Sequence, residues 1–280
     1  GRPTGVPSPG VPASPGLRVG MAVENVSSRY FDPPGPRVLA HRGLALGVPE
    51  NTIAAFQAAV DVGALYLETD AHATADGVAV LVHDPEIVVD GVSHPVRNLT
   101  LSQLRQLDLG GGHHVPTLAG ALVTFPNACF NIDVKAEQAT GPVVRAILAE
   151  RAVDRVLLTS FDEARRTRAI DSLPGVASSA SSDRFARAFL GARLGSASLV
   201  RSALGGIRCV QIPEKHRNVR LVTRGVVRAF HRAGIEVHVW TVNEPDDMNR
   251  LLDLGVDGLI TDRVDLALPL LAGRPVRSPI

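Results

Sequence analysis

The chain has 280 residues, 45% of them hydrophobic, which is enough for one large core of the ~250-residue barrel class and too little for two such domains. Its 29 basic and 28 acidic residues leave a formal net charge of +1, so there is no electrostatic case for nucleic acid or a strongly anionic membrane as the main partner. No apolar run approaches the ~20 residues that span a bilayer, and no stable membrane insertion is expected.

Residues 1–36 are rich in Pro, Gly and Ser, have no period and lack the basic-then-apolar start of a secretory leader. They read as a flexible tail, and 274–280 as a second, shorter one. From residue 38 a beat begins. Strand-like runs at 38–42, 65–70, 129–135, 155–160, 175–180, 209–213, 236–242 and 258–261 alternate with helical patterns at 51–62, 141–151, 162–171, 183–194, 218–233 and 245–254. Eight strands alternating with helices predict an α/β fold, a TIM (β/α)8 barrel, over 37–273. After the second strand, Asp76-Gly77 signals a hairpin. Residues 85–114 then wander, with one short helical pattern at 101–107. They are expected as an insertion on the C-terminal face, where such barrels carry their chemistry. Cys129 and Cys209 lie in apolar runs and are expected as buried free thiols, which fits a reducing, cytoplasmic location.

Alternation along strands groups the polar residues. Glu68 and Asp70 share one face of their strand; Asn131, Asp133 and Lys135 share one face of theirs. The apolar faces belong against the helices, so these polar faces should look into the barrel mouth. Buried charges cost several kcal/mol each, by order of magnitude, unless paired. Three carboxylates exceed one lysine, and a hard divalent cation, Mg²⁺ or Ca²⁺, held by Glu68, Asp70 and Asp133 would restore the balance. The competing explanation is that they are solvated strand-end residues paired with local arginines.

His41 and His83 stand at the ends of strand-like runs and suit general acid–base chemistry, since the unperturbed imidazole pKa is about 6.5. Ordinary hydrogen-bonded histidines are the alternative, and that reading is kept for His72, His94, His113, His114, His216, His231 and His238. A zinc site on His41 and His83 lacks a cysteine or a close histidine pair. Arg42 offers a planar fork for phosphate oxygens, or a strand-end salt bridge. Trp240, the only tryptophan, either stacks on a substrate at the mouth or fills core.

Together these segments resemble the glycerophosphodiester phosphodiesterase family. The likeness is carried in order by His41-Arg42-Gly43, Pro49-Glu50-Asn51-Thr52, Leu67-Glu68-Thr69-Asp70, Thr74-Ala75-Asp76-Gly77, His83-Asp84, Val115-Pro116-Thr117-Leu118, Asn131-Ile132-Asp133-Val134-Lys135, Ser160-Phe161, Val239-Trp240-Thr241-Val242-Asn243 and Gly258-Leu259-Ile260-Thr261-Asp262. The resemblance implies a TIM barrel with a small insertion after the second strand. It implies His41 and His83 as the catalytic pair and Glu68, Asp70 and Asp133 as metal ligands. Arg42 and Lys135 would lie around the phosphate, Glu50 would be a supporting acid, and Trp240 would line the mouth. The implied reaction is metal-dependent hydrolysis of small-molecule glycerophosphodiesters to sn-glycerol 3-phosphate and an alcohol. Two departures stand out. The third ligand position, often Glu in the family, is Asp133, one methylene shorter. An arginine that often follows the His-Asp pair is absent, with Val88-Val89 in its place, which leaves the headgroup open. Two other readings differ in substrate or class. One is a lysophospholipase D or phosphatidylinositol-type phospholipase, which would want an exposed apolar rim; the insertion has few aromatics to make one. The other is a barrel that binds phosphorylated ligands without turning them over.

Overall fold

A computed structural model describes residues 1, 28–32 and 34–274; expectations for 2–27, 33 and 275–280, which include most of both tails, lie outside these residues. From β1 (Arg37–His41) the chain enters α1 (Ile53–Asp61), β2 (Tyr66–Ala73) and β3 (Ala79–Leu81). A hairpin of β4 (Glu86–Val89) and β5 (Val92–Pro95) follows, then one turn of α2 (Leu101–Leu104), α3 (Leu118–Thr124) and β6 (Cys129–Val134). The rest runs α4 (Thr140–Ala149), β7 (Val156–Thr159), α5 (Glu163–Asp171), β8 (Ala177–Ser178), α6 (Ser182–Arg193), α7 (Ala197–Leu204) and β9 (Cys209–Pro213). A small hairpin, β10 (Lys215–His216) with β11 (Val219–Arg220), precedes α8 (Arg224–Arg232), β12 (Glu236–Trp240), α9 (Pro245–Leu254), β13 (Gly258–Thr261) and α10 (Val264–Ala267).

The strands are ordered β8-β7-β6-β2-β1-β13-β12-β9, each pair parallel, and a parallel bridge from Ser179 to Cys209 lies at the seam between β8 and β9. The predicted eight-stranded TIM barrel is therefore the observed fold. Alternation divides the strands as the sequence reading required. Val38, Ala40, Leu67, Phe130, Ile132 and Val134 pack outward against helices, whereas Leu39, Tyr66, Cys129, Leu157, Cys209 and Ile260 fill the interior below the mouth. Cys129 and Cys209 are buried and unpaired with each other. Among the described residues no helix is long and apolar enough to cross a membrane.

Three local expectations change. Part of the stretch taken as a free tail is built in: Arg29–Phe31 form a 3₁₀ turn, with Tyr30 fully buried and set edge-on to Tyr66 at 5.3 Å between ring centroids. The N-terminal end of a barrel needs an apolar plug, and two isolated aromatics in a Pro/Gly-rich stretch carry no periodicity to announce one. The helix expected at 218–233 begins only at Arg224, because 215–220 turn back as the β10–β11 hairpin and Leu221 and Val222 sink into the core. Helices α3 and α7 were not anticipated; at seven and eight residues they are too short for periodicity to reveal. Residues 85–114 do depart from the beat, and they carry a small core of their own, with Val80, Ile87, Val96, Leu104 and Val115.

The floor of the barrel holds a buried ion pair. Arg37 donates from Nη2 to Glu236 Oε1 at 2.6 Å and from Nε to Oε2 at 3.1 Å, and His238 Nε2 lies 3.0 Å from the same carboxylate. Burial disfavours the Glu236 anion, but the hydrogen bond with His238 and the Arg37 fork outweigh it and hold its pKa at about 2, against an ordinary 4.5. The carboxylate therefore contributes stability that is fully present above pH 4.5 and is lost as pH falls through about 2. Glu236→Gln should cost about 3 kcal/mol near neutral pH. Urea melts at stepped pH should show the gap to wild type closing between pH 4.5 and 2; a gap independent of pH would mean that no ionised pair exists.

Candidate active site

The neighbouring strands β1, β2 and β6 bring the acidic residues together. His41 stands opposite Glu68, Glu68 opposite Asn131, and Asp70 opposite Asp133. All open into one cavity of about 830 Å³ at the C-terminal ends of the strands, together with Arg42, His83 and Lys135. Of the nine residues singled out from the sequence, eight line this cavity. Glu50 does not line it: it is exposed and accepts a 2.8 Å hydrogen bond from Arg42 Nη1. Trp240 is half-buried in the wall, edge-on to Phe161 at 6.2 Å.

Lys135 Nζ sits 2.7 Å from Asp133 Oδ2 and 2.9 Å from Asp70 Oδ1, and Arg42 Nε lies 3.0 Å from Asp70 Oδ2. Two cations thus face three carboxylates. Asp70, despite burial, is held below its usual range by Lys135 and Arg42. Glu68 takes the excess charge: its own burial, then Asp70 and Asp133, push its pKa well up. Burial also raises Asp133, whose Oδ1 has no hydrogen-bond partner. Asp70 is further fixed by Asn51 Nδ2 at 3.2 Å, while Asn51 Oδ1 accepts from Thr69 at 2.6 Å.

Both histidines are oriented through Nδ1. His41 Nδ1 lies 2.7 Å from Asp262 Oδ1, and Asn243 Nδ2 donates to Asp262 Oδ2 at 2.7 Å. The hydrogen bond with His41 in turn lowers the Asp262 pKa. His83 Nδ1 lies 2.8 Å from Asp84 Oδ1, and the backbone carbonyl of His83 accepts from His72 Nε2 at 3.1 Å. A carboxylate acceptor at Nδ1 selects the tautomer whose Nε2 is free for a reacting group. Indeed His41 Nε2 points inward, 4.0 Å from Glu68 Oε2. The turn after β1 is fixed by Gly43, with φ +88°, where a Cβ would come within 2.6 Å of the Ala55 backbone. That close approach to α1 is what presents Arg42 to the cavity.

The expected three-carboxylate grouping forms only in part. Asp70 and Asp133 converge, but the Lys135 ammonium lies between them, and among the described residues no three His, Cys, Asp or Glu groups stand ready-made as metal ligands. The donor chemistry nevertheless suits a hard cation. The set is all oxygen, Asp133 Oδ1 is buried without a partner, and Glu68, buried beside Asp70 and Asp133, is pushed towards its neutral form despite the Arg42 backbone N–H at 3.1 Å.

Strand alternation and helical periodicity point to none of Asp262, Asn243, Asn51 and Asp84, which the fold brings to the site. The available signal was position: Asp262 directly follows the last barrel strand, at the end where TIM barrels place their functional groups. Asn51 and Asp84 are loop residues whose partners only the fold supplies.

The barrel, with two carboxylate-oriented histidines beside an arginine and a lysine in one cavity at its C-terminal face, belongs to the class of TIM-barrel hydrolases. The family model described as glycerophosphoryl diester phosphodiesterase family matches residues 41–266, and the chain belongs to that family. It is 42% identical over 243 residues to the probable glycerophosphodiester phosphodiesterase 2 of Mycobacterium tuberculosis, covering 86% of this chain and 92% of that one. To the glycerophosphodiester phosphodiesterase of Caldanaerobacter subterraneus it is 29% identical, covering 80% and 93%. Among solved structures, the putative glycerophosphoryl diester phosphodiesterase of Silicibacter pomeroyi superposes with a TM-score of 0.72 at 24% identity, covering 88% and 96%. An Oleispira antarctica phosphodiesterase, solved with sn-glycerol-3-phosphate as product, gives 0.70 at 21%, covering 85% and 97%. At those identities the two structures speak for the fold.

Removing the ammonium at the centre of the cluster should be costly. Lys135→Met leaves Asp133 without its ammonium partner and facing Asp70, whose remaining partners are Arg42 and Asn51, and should destabilise the protein by about 3–5 kcal/mol near neutral pH, read from urea unfolding. An unchanged midpoint would show that the two carboxylates do not share a charge with Lys135.

Proposed function

We propose that the chain hydrolyses glycerophosphodiesters to sn-glycerol 3-phosphate and an alcohol. The observation that carries this reading is the pairing of two imidazoles in one cavity, each with Nδ1 held by a carboxylate, beside an arginine and a lysine. His41 and His83 divide the proton transfers. One takes a proton from the attacking hydroxyl, and the other gives one to the departing alkoxide. Arg42 and Lys135 draw the phosphate in and hold it, while Glu50 steadies the Arg42 fork. Asp262 and Asp84 keep the imidazoles in the working tautomer. Trp240 closes the mouth over the bound ester. Glu68, Asp70 and Asp133 would hold a divalent cation, Mg²⁺ or Ca²⁺, which when bound adds positive charge against the phosphoryl oxygens.

A binding barrel without turnover is the less economical reading, because ligand retention alone needs neither carboxylate-oriented histidine. A panel of glycerophosphodiesters assayed with Mg²⁺, Ca²⁺ and chelator tests the activity: product should form with a cation and fall to background with chelator. Ligand binding that is indifferent to chelator, with no product formed, would favour the binding barrel. His41→Ala and His83→Ala should each lower kcat by roughly 10²–10⁴-fold. Near-normal turnover in both would remove their assigned roles. Asp262→Asn should lower kcat by roughly 10–100-fold with KM little changed, as expected for a residue that acts through His41; a loss confined to KM would place it in binding instead.

A further inference from the structure

The cavity has two unlike halves. The charged half comes from β1, β2 and β6. The other half comes from across the mouth, from the turn after β7, the end of β12, β9, α6 and the stretch after β11. Its apolar surface is Phe161, Phe185, Phe189, Ile212, Leu221 and Trp240. Ser181, Ser182, Gln211 and His216 add polar groups to the cavity on this side. Phe185 stacks nearly parallel on Phe230, 6.3 Å away and 14° from coplanar, and lies 5.6 Å from Phe189, so this wall is anchored to the core. Phe161 stands 58% exposed at its edge. The acidic residues lining the cavity are Glu68, Asp70 and Asp133, all in the charged half. Among the described residues no acidic side chain lines the far half to pair with an ammonium headgroup. An aromatic cage for a quaternary ammonium is also disfavoured, because Lys135 Nζ already faces the Phe161 ring at 5.9 Å and would repel a second cation there. At about 830 Å³ the cavity is near the top of the range of about 300–1,000 Å³ for small-molecule sites, far more than glycerol and one phosphate require.

We propose that this aromatic wall is a subsite for a hydrocarbon arm of the substrate. The favoured diesters would be glycerophosphodiesters in which one ester arm is an alkyl chain, rather than those of small polar alcohols. This rests on the hydrolytic reading above and specifies its substrate class. The chemistry is unchanged: water adds to phosphorus, the P–O bond to one arm breaks, and that arm leaves as its alcohol carrying a proton from histidine. The insertion at 85–114 is poor in aromatics, and the apolar rim instead comes from α6 and the turn after β7.

The test is a series of sn-glycero-3-phosphoalkanols from ethanol to octanol, each below its aggregation concentration. Every methylene that leaves water on the wall is worth about fourfold in kcat/KM, so octyl should exceed ethyl by at least about tenfold. A flat or falling series overturns the inference while leaving the hydrolytic reading intact; turnover of no member overturns both. In Phe189→Ser and in Phe161→Ser, whose exposed ring holds no core, the octyl-to-ethyl ratio should fall towards one. A ratio unchanged in both variants would remove the wall from substrate binding. Glycerophosphocholine and its 3,3-dimethylbutyl isostere, which lacks only the ammonium charge, separate apolar from cationic recognition. The dimethylbutyl ester should be turned over at least as well, and a tenfold preference for choline would overturn the proposal.

Discussion

Lys135 is shared between Asp70 on β2 and Asp133 on β6, and the charged half of the cavity is organised around that contact. Two carboxylates on adjacent buried strands would repel strongly in a medium that solvates charge poorly. The ammonium at 2.7 and 2.9 Å offsets that repulsion by pairing with both. Arg42 then adds a second cation from the turn after β1, held there by the close approach of Gly43 to α1. What remains is one carboxylate too many, on Glu68, buried and drawn towards its neutral form. The cluster is thus stable as a protein interior yet poised to accept further positive charge.

The same arrangement keeps the two imidazoles apart from the lysine and arginine. The lysine and arginine belong to the carboxylate network on β2 and β6. The histidines have their own supports in Asp262 and Asp84, which approach from β13's end and from the loop beyond β3. Each imidazole is therefore oriented independently of Arg42 and Lys135. The opposite half of the mouth is apolar and rests on the Phe185–Phe230 stack, so one barrel presents a charged wall and a hydrocarbon wall across the same opening. Beneath them, the Arg37–Glu236 pair and the Tyr30 plug close the floor.

Most of the site was legible in one dimension because strand alternation has a fixed period of two. Once Leu67 and Phe130 were assigned to the helices, Glu68, Asp70, Asn131 and Asp133 had to face inward. The outward packing of Leu67, Phe130, Ile132 and Val134 agrees. Helices of only seven and eight residues, such as α3 and α7, give such reasoning few turns to work with. So did the buried turn at Arg29–Phe31, whose role depends on an opening that exists only in the closed barrel. Asp262 and Asn243 are 221 and 202 positions from His41, and neither periodicity nor spacing ties them to it.

The sequence by itself determined the barrel, the family likeness and the polar inward faces, because these follow from local alternation and from residue order. Tertiary structure alone decided where the charges settle: Lys135 between Asp70 and Asp133, the surplus on Glu68, Asp262 behind His41. It also decided that the aromatic wall rises from α6 rather than from the insertion. Charge balance and cavity shape are sums over residues distant in the chain, and only closure of the barrel brings those residues within reach of one another.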